Sequence, residues 1–381
     1  MSLQICIVGT AFPYKGGIAM FNERLARELI TQGHSVDIVT FTLQYPKFFF
    51  PGKSQYSNDP KPSDLSIKRK INSINPISWI DTARAIKKGN YDLIIAKYWI
   101  PAMGPSLGTI MRLARSKKTK GISIIDNIIP HEKRFGDKLL SKYFVKSVDG
   151  FAVMSLKVQE QMKQFVAKQP VSYVPHPIYD TYGEIVPREE ALKYLNLDPQ
   201  YDYVLFFGYI RDYKGLDILL DAIAEGLKTN PNLKLIVAGE YYSDSGQYLR
   251  QINKLNIADN VILHTSFISN EDVKYFFCAT DLVAQSYKSA TQSGISQMAI
   301  YFEKPIVSTN VGGLPETVIH NKTGYLTNVD HKEVALAILQ YFKERPLERF
   351  QTEIKELKKM YSWNHFGSKL VSLYNQIKSI S

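Results

Sequence analysis

The residues best suited to chemistry lie in three loops, each leaving an apolar run and entering a helical pattern. In Phe207-Gly208-Tyr209-Ile210-Arg211-Asp212-Tyr213-Lys214-Gly215, Arg211 and Lys214 straddle a helix start. Peptide dipoles there favour negative charge, so two cations are out of place unless an anion joins them. A bound phosphate resolves the conflict; a solvated basic turn is the other reading. In the loop Ser286–Met298, the small residues Thr291, Ser293 and Gly294 precede a helix expected to start near Ile295. Its exposed N–H groups could wrap a diphosphate as a nest does. The third loop, Gly9-Thr10-Ala11-Phe12-Pro13-Tyr14-Lys15-Gly16-Gly17, matches neither G-x-G-x-x-G nor G-x-x-x-x-G-K-[ST]. Gly16 and Gly17 would let backbone approach an anion at a helix N-terminus, or would simply make a turn.

These loops need a frame to hold them. The apolar runs Ile5–Val8 and Ser35–Thr42 read as strands, and between them Ile18, Phe21, Leu25 and Leu29 fall on one helical stripe. Strand, helix, strand at this spacing is a βαβ unit and predicts a parallel sheet. Leu93–Lys97, Ile122–Asp126, Gly150–Met154 and Val171–Val174 extend the series. A second series begins with the strand Tyr203–Phe207, the helix Leu216–Glu225 and the strand Leu233–Ala238, which ends in Gly239. Val261–Leu263, Leu282–Ala284 and Ile306–Ser308 are further strands, with a helix over Asn270–Phe277. The spacing therefore predicts two doubly wound α/β halves, joined near Pro175–Gly183, and an amphipathic helix over Ser362–Ile377. Ligands of such sheets bind at the carboxyl ends of the strands.

At 381 residues the chain is long for one core and suits two domains. With 45% hydrophobic and 22% charged residues it is neither disordered nor fibrous. It has no apolar run long enough for a membrane span, and its start reads as a first strand rather than a leader. Two cysteines, Cys6 and Cys278, in separate apolar contexts predict buried thiols in a reducing cytoplasm rather than a disulfide or metal framework. Charge is uneven: residues 1–175 hold 26 Lys and Arg against 12 Asp and Glu, whereas the whole chain carries +11. The excess on the first half predicts an anionic partner there. Lys68-Arg69-Lys70, Lys87-Lys88 and the run Arg112, Arg115, Lys117, Lys118, Lys120 suit the anionic inner face of a membrane, where each basic residue is worth about 1 kcal/mol. Phe48–Phe50, Trp79 and Trp99 would add interfacial anchors. No nucleic-acid motif accompanies the charge.

Several segments together resemble the retaining, nucleotide-sugar-dependent glycosyltransferases of family 4. They are Lys214-Gly215-Leu216-Asp217-Ile218-Leu219, Glu303-Lys304-Pro305-Ile306-Val307-Ser308-Thr309, Gly312-Gly313-Leu314-Pro315-Glu316, Gly16-Gly17 and Gly33-His34-Ser35-Val36. Each motif is modest, but their order and spacing span nearly the whole chain. The resemblance implies a GT-B fold: two Rossmann-like domains facing across a cleft, with a last helix crossing back to the first. The expected bounds are 1–178 for an acceptor-binding domain, 179–361 for a nucleotide-sugar-binding domain, and 362–381 for the returning helix.

By motif matching, Arg211 and Lys214 fall on the basic pair that neutralises the donor diphosphate. Ser293, Gly294 and Ile295 fall on the loop that grips the same phosphates, with Gly208 and Gly239 among the donor-binding glycines. Gly16 and Gly17 fall on the first domain's donor-facing glycines, and His131 resembles the histidine near the transferred sugar. A loop histidine after Pro130 is the alternative for His131, and His176, between two prolines, reads as interdomain structure. The family's paired glutamates should fall near Ala290 and Met298, and neither is acidic. Gln292 and Gln297 are the nearest polar candidates, able to hold sugar or ribose hydroxyls.

The resemblance implies transfer of a hexosyl group from a UDP-sugar or GDP-sugar, with retention, to a saccharide or lipid-linked acceptor in polysaccharide or lipopolysaccharide assembly. No Asp-x-Asp triplet occurs in the sequence, so basic side chains and backbone dipoles are expected to stand where other enzymes use a divalent cation, with no cofactor required. A catalytically inactive sugar-nucleotide binder and a GT-B epimerase are the competing functions.

Overall fold

A computed structural model describes the chain except residues 1, 47–54, 58–59, 131–134, 179, 181, 243, 291–292 and 381. It divides into two units, Met1–Pro177 with Tyr361–Ser381, and Ile178–Met360.

In the first unit the chain runs β1 (Gln4–Val8), α1 (Gly17–Thr31), β2 (Ser35–Leu43), β3 (Ser66–Asn72), α2 (Pro76–Lys88), β4 (Leu93–Tyr98), α3 (Gly104–Ala114), β5 (Lys120–Ile125), α4 (Asp137–Val145), β6 (Gly150–Val153), α5 (Leu156–Met162) and β7 (Val171–Tyr173). The second unit holds α6 (Arg188–Tyr194), β8 (Asp202–Phe207), α7 (Leu216–Leu227), β9 (Leu233–Ala238), α8 (Gly246–Leu255), β10 (Val261–His264), α9 (Val273–Ala279), β11 (Leu282–Gln285), α10 (Gly294–Tyr301), β12 (Ile306–Thr309), β13 (Gly324–Thr327), α11 (His331–Glu344) and α12 (Leu347–Met360). The last helix, α13 (Trp363–Ile380), belongs to the first unit.

Each unit is built on one parallel sheet. The first sheet has the order β3-β2-β1-β4-β5-β6-β7 and the second β10-β9-β8-β11-β12-β13. The first strands pair on both sides, with Ile5 opposite Val36 and Leu93. Such central strands are covered on both faces, which is why their sequences are continuous apolar runs. In each sheet the order reverses beside the first strand, between β1 and β4 and between β8 and β11. That point is where the loops of such folds collect a ligand.

One face of the first sheet packs on α2, α3, α4 and α5 through Ile86, Leu107, Ile110, Phe144 and Met162. The other packs on α1 and α13, where Phe21, Leu25 and Leu29 meet Trp363, Phe366, Leu370 and Tyr374. His176 lies edge-on to Phe21 at 5.4 Å between ring centroids. Burial and the charge of Lys97 lower its pKa to about 4, so the ring is neutral at pH 7. Cys6 and Cys278 are buried free thiols, and burial pushes both upward in pKa.

The structure corrects several expectations. Lys68, Arg69 and Lys70 do not form a free basic patch: they lie on β3, an edge strand that sequence pattern did not reveal. Lys68 Nζ pairs with Asp37 at 2.9 Å, and Arg69 donates to the carbonyls of Phe41 and Thr42. Charged side chains are a usual means of blunting a sheet edge, and here they disguised the strand. The basic run from Arg112 is not one helix, because α3 ends at Ala114 and Lys120 opens β5 as a buried residue. Arg115 pairs with Asp149. Neither tryptophan is an interfacial anchor: Trp79 Nε1 donates to the Asn72 carbonyl and Trp99 Nε1 to the Tyr45 hydroxyl, each at 2.7 Å. Phe48–Phe50 lie outside the described residues. The helix expected from Asn270 starts at Val273, because Ser269 and Asp272 hydrogen-bond each other in a turn first.

Leu370 is fully buried against α1. Leu370→Ala should therefore cost about 2–5 kcal/mol in urea unfolding, although it lies eleven residues from the C-terminus.

Candidate functional site

In the second unit the carboxyl ends of β8, β9 and β11 bring the sequence-selected residues together. β8 ends at Phe207, and Gly208 follows with φ 88°. A side chain at Gly208 would meet Lys214 Nζ at 3.0 Å and Ile295 Cδ1 at 3.2 Å. Gly239 follows β9 with φ 138°, and a side chain there would strike the backbone of Gly208. Bare backbone is thus required at both turns, since left-handed φ and close approach each exclude other residues.

After Gly208 the chain makes a short 3₁₀ turn over Asp212–Lys214, and Gly215, with φ 65°, opens α7. This fold-back tucks Lys214 inward. The residue is only 8% exposed, with Nζ 5.9 Å from the Tyr287 ring centroid. The carboxylates that flank it in sequence are taken by another lysine: Lys288 Nζ contacts Asp212 at 2.8 Å and Asp217 at 3.1 Å. Among the described residues no carboxylate forms an ion pair with Lys214 or Arg211. Burial, and then the charge of Arg211, lower the Lys214 pKa to about 8. An ammonium removed from water without a counter-ion is costly. The Arg211 guanidinium lies 3.9 Å over the Tyr242 ring, which leaves its N–H edge free for an oxyanion.

The facing wall is the N-terminus of α10. Ser293 caps it, accepting from the Ile295 N–H at 3.2 Å. Gln285, buried at the end of β11, donates to Ser293 Oγ at 2.8 Å and accepts from Ser296 Oγ at 2.8 Å. The Tyr287 hydroxyl lies 3.3 Å from Ser293 Oγ, and burial raises its pKa to about 12. These bonds fix the first turn of the helix, where peptide dipoles favour negative charge. The space around Gly294 is open, so an anion could reach the N–H groups.

The structure therefore unites Gly208, Arg211, Lys214, Gly239, Ser293, Gly294 and Ile295 in one unit. Gln297 is half-buried in the first turn of α10. Gln292 and Thr291 lie outside the described residues, as does His131. The positions expected for acidic residues are structural: the Ala290 carbonyl lies against Gly312, and Met298 is buried in the core. Gly16 and Gly17 belong to the first unit, at the N-terminus of α1, with φ 108° at Gly16 and open space around both.

Sequence reasoning missed Gln285 and Lys288. Gln285 was legible as a polar residue closing an apolar strand; Lys288 needs its distant partners before its role appears.

Residues 15–181 match the family model Glycosyltransferase Family 4, and residues 187–358 match Glycosyl transferases group 1. A D-inositol 3-phosphate glycosyltransferase of Segniliparus rotundus is 35% identical over 138 residues, which span 35% of this chain and only 30% of that relative. A protein of the same name from Pseudarthrobacter chlorophenolicus is 22% identical over 344 residues, 83% of this chain and 79% of the relative. In fold, the chain resembles Anabaena HepE, whose structure was solved in complex with UDP: the TM-score is 0.66 at 16% identity, covering 98% of this chain and 100% of that one. Two consecutive family matches over most of the length, laid on two doubly wound sheets, make this chain a member of the GT-B glycosyltransferases.

Proposed function

We propose that the protein is a retaining hexosyltransferase that takes its sugar from a UDP-sugar or GDP-sugar. One observation carries this reading: a buried ammonium, without a counter-ion among the described residues, stands opposite a helix N-terminus at the sheet's switch point. A diphosphate would offset the cost at Lys214 and satisfy the N–H groups of α10 at once. The UDP bound by the Anabaena neighbour supports the same ligand class.

In glycosyl transfer, negative charge grows on the β-phosphate as the sugar becomes oxocarbenium-like. Preorganised donors aimed at that charge favour the transition state over the ground state, and one such donor is worth about 2.7–4 kcal/mol. Lys214 and Arg211 would supply cationic donors, and Ser293, Gly294 and Ile295 would supply backbone dipoles. Gly208 and Gly239 would leave room for the nucleotide, with Gln292 and Gln297 holding hydroxyls. These fixed charges would do the work of a divalent ion. On this reading the leaving phosphate assists deprotonation of the acceptor on the same face, and His131, Gly16 and Gly17 keep the roles that the family resemblance implies.

The second unit would bind the donor and the first the acceptor, a saccharide or lipid-linked saccharide of cell-surface polysaccharide or lipopolysaccharide assembly. The reaction would then take place in the cytoplasm or at the inner face of an anionic membrane. A second reading, an inactive sugar-nucleotide binder, draws on Ala290 and Met298, where carboxylates were expected.

The test is a thermal-shift and turnover panel with UDP-, GDP- and ADP-sugars. A hundredfold excess of ligand over Kd stabilises by about 2.7 kcal/mol; Arg211→Ala and Lys214→Ala should each abolish that shift. Unchanged donor affinity in both variants would refute the site. Turnover should survive EDTA, and donor binding without turnover or hydrolysis favours the inactive binder. Donor affinity should weaken as pH rises through about 8, where the free enzyme's Lys214 loses its proton.

The same lysine gives a stability prediction with a definite sign. Its folded pKa lies below the ordinary lysine value of about 10.4. Between those two pH values the unfolded chain binds more protons, so stability rises with pH there, and the cost of burying the charge is fully present below the folded pKa. Lys214→Met should therefore melt higher than wild type at pH 7 without ligand. The advantage should shrink as pH rises from about 8 to 10, as measured by calorimetry.

A further inference from the structure

We infer that the outer face of α2, α3 and α4 is a docking surface for a bilayer rich in anionic lipid. The inference rests on the membrane setting above for its partner, but not on the donor site or the chemistry of transfer.

The three helices lie side by side over one face of the first sheet. Their inner sides are spent on the core, through Ile86, Leu107, Ile110, Met111 and Phe144. Their outer sides carry large apolar residues that packing does not use. Ile77 near the start of α2 is 69% exposed and Leu139 in the first turn of α4 is 72% exposed, while Phe135, just before α4, is fully exposed. Leu113 on α3 adds a fourth.

Basic side chains share these helices. Lys138, Lys142 and Lys146 recur at every fourth position along α4, all exposed, and Lys87 and Lys88 end α2. Among the described residues none of these five forms an ion pair. On the opposite face of the sheet the arginines of α1 are neutralised: Arg24 pairs with Glu28 at 3.2 Å and Arg27 with Asp64 at 2.6 Å. The α2–α4 side thus carries five lysines that no described ion pair offsets, beside the acids Asp81, paired with Arg84, and Asp137.

The chemistry of this surface selects its occupant. The apolar side chains stand in two small groups, Ile74, Ile77 and Ile80 at the start of α2 and Phe135 with Leu139 at the start of α4, on helices that also carry long, strongly hydrated lysines. A rigid protein interface is instead depleted of lysine and rich in packed aromatics and arginine. Small apolar groups beside unpaired lysines suit a fluid interface, where the apolar tips enter the acyl boundary and the ammoniums remain among phosphates.

The test is co-sedimentation of the full chain with vesicles of phosphatidylcholine alone, or of equal parts phosphatidylcholine and phosphatidylglycerol. Wild type should pellet only with the second, and less so as salt rises. Lys138→Gln/Lys142→Gln/Lys146→Gln should lower partitioning on the order of a hundredfold, and Phe135→Ser/Leu139→Ser should lower it with little change in salt dependence. Reversing Lys228, Lys322 and Lys332 in the second unit should have far less effect. All these positions are exposed, and an unchanged UDP thermal shift would show that fold and donor site are intact. Wild-type binding with no loss in either face variant overturns this face. Failure of wild type to pellet with either vesicle overturns the membrane partner itself, leaving the donor site untouched. A concentration-dependent dimer dispersed by the same variants would assign the face to a second copy and overturn the inference.

Discussion

The ammonium of Lys214 is the constraint around which the second unit is arranged. It is held out of water by a 3₁₀ turn, by Gly208 and by the Tyr287 wall, and the two acids that flank it in sequence are bound to Lys288. A fold selected for stability alone would pair that charge or replace it. Keeping it bare makes sense where an anion arrives from solution, because a preorganised cation spends nothing on reorganisation when charge develops beside it. Gln285 does the matching work on the other side. By holding Ser293 and Ser296 it fixes the first turn of α10, so the N–H groups stand ready before any ligand comes.

The division between a rigid scaffold and functional loops follows from the sheets. β1, β4, β8 and β9 have no freedom in register, since both faces of each are buried and a one-residue slip would misplace every side chain. Their carboxyl ends are correspondingly fixed in space. The loops that begin there inherit this precision, and positive-φ glycines let them turn sharply without disturbing the strands.

Much of this was legible in the sequence because buried parallel strands announce themselves as apolar runs. Ile5–Val8, Leu233–Ala238 and Ile306–Ser308 could be recognised without a partner. β3 could not: with Lys68, Arg69 and Lys70 in its middle it has the composition of a solvated basic segment, and only its edge position explains the pattern. The tryptophans misled for a related reason. An indole is apolar with one polar handle, so sequence alone does not say whether the handle reaches a lipid interface or, as for Trp79, a backbone carbonyl. For the proposed donor site, Arg211 and Lys214 stand out in the sequence by their conflict with a helix start. What stayed hidden was that Lys288, more than seventy residues away, holds the acids flanking Lys214.

The return of α13 to the first unit has a consequence for how the chain comes into being. The second unit is in effect an insertion: all its strands and helices are contiguous and can close as soon as they leave the ribosome. The first unit is translated earlier but must wait longer, since the face of its sheet beside Phe21 stays uncovered until Trp363, Phe366 and Leu370 have been made. The order of synthesis is thus the reverse of the order of completion, and a nascent chain must shelter an exposed apolar surface for most of its own length.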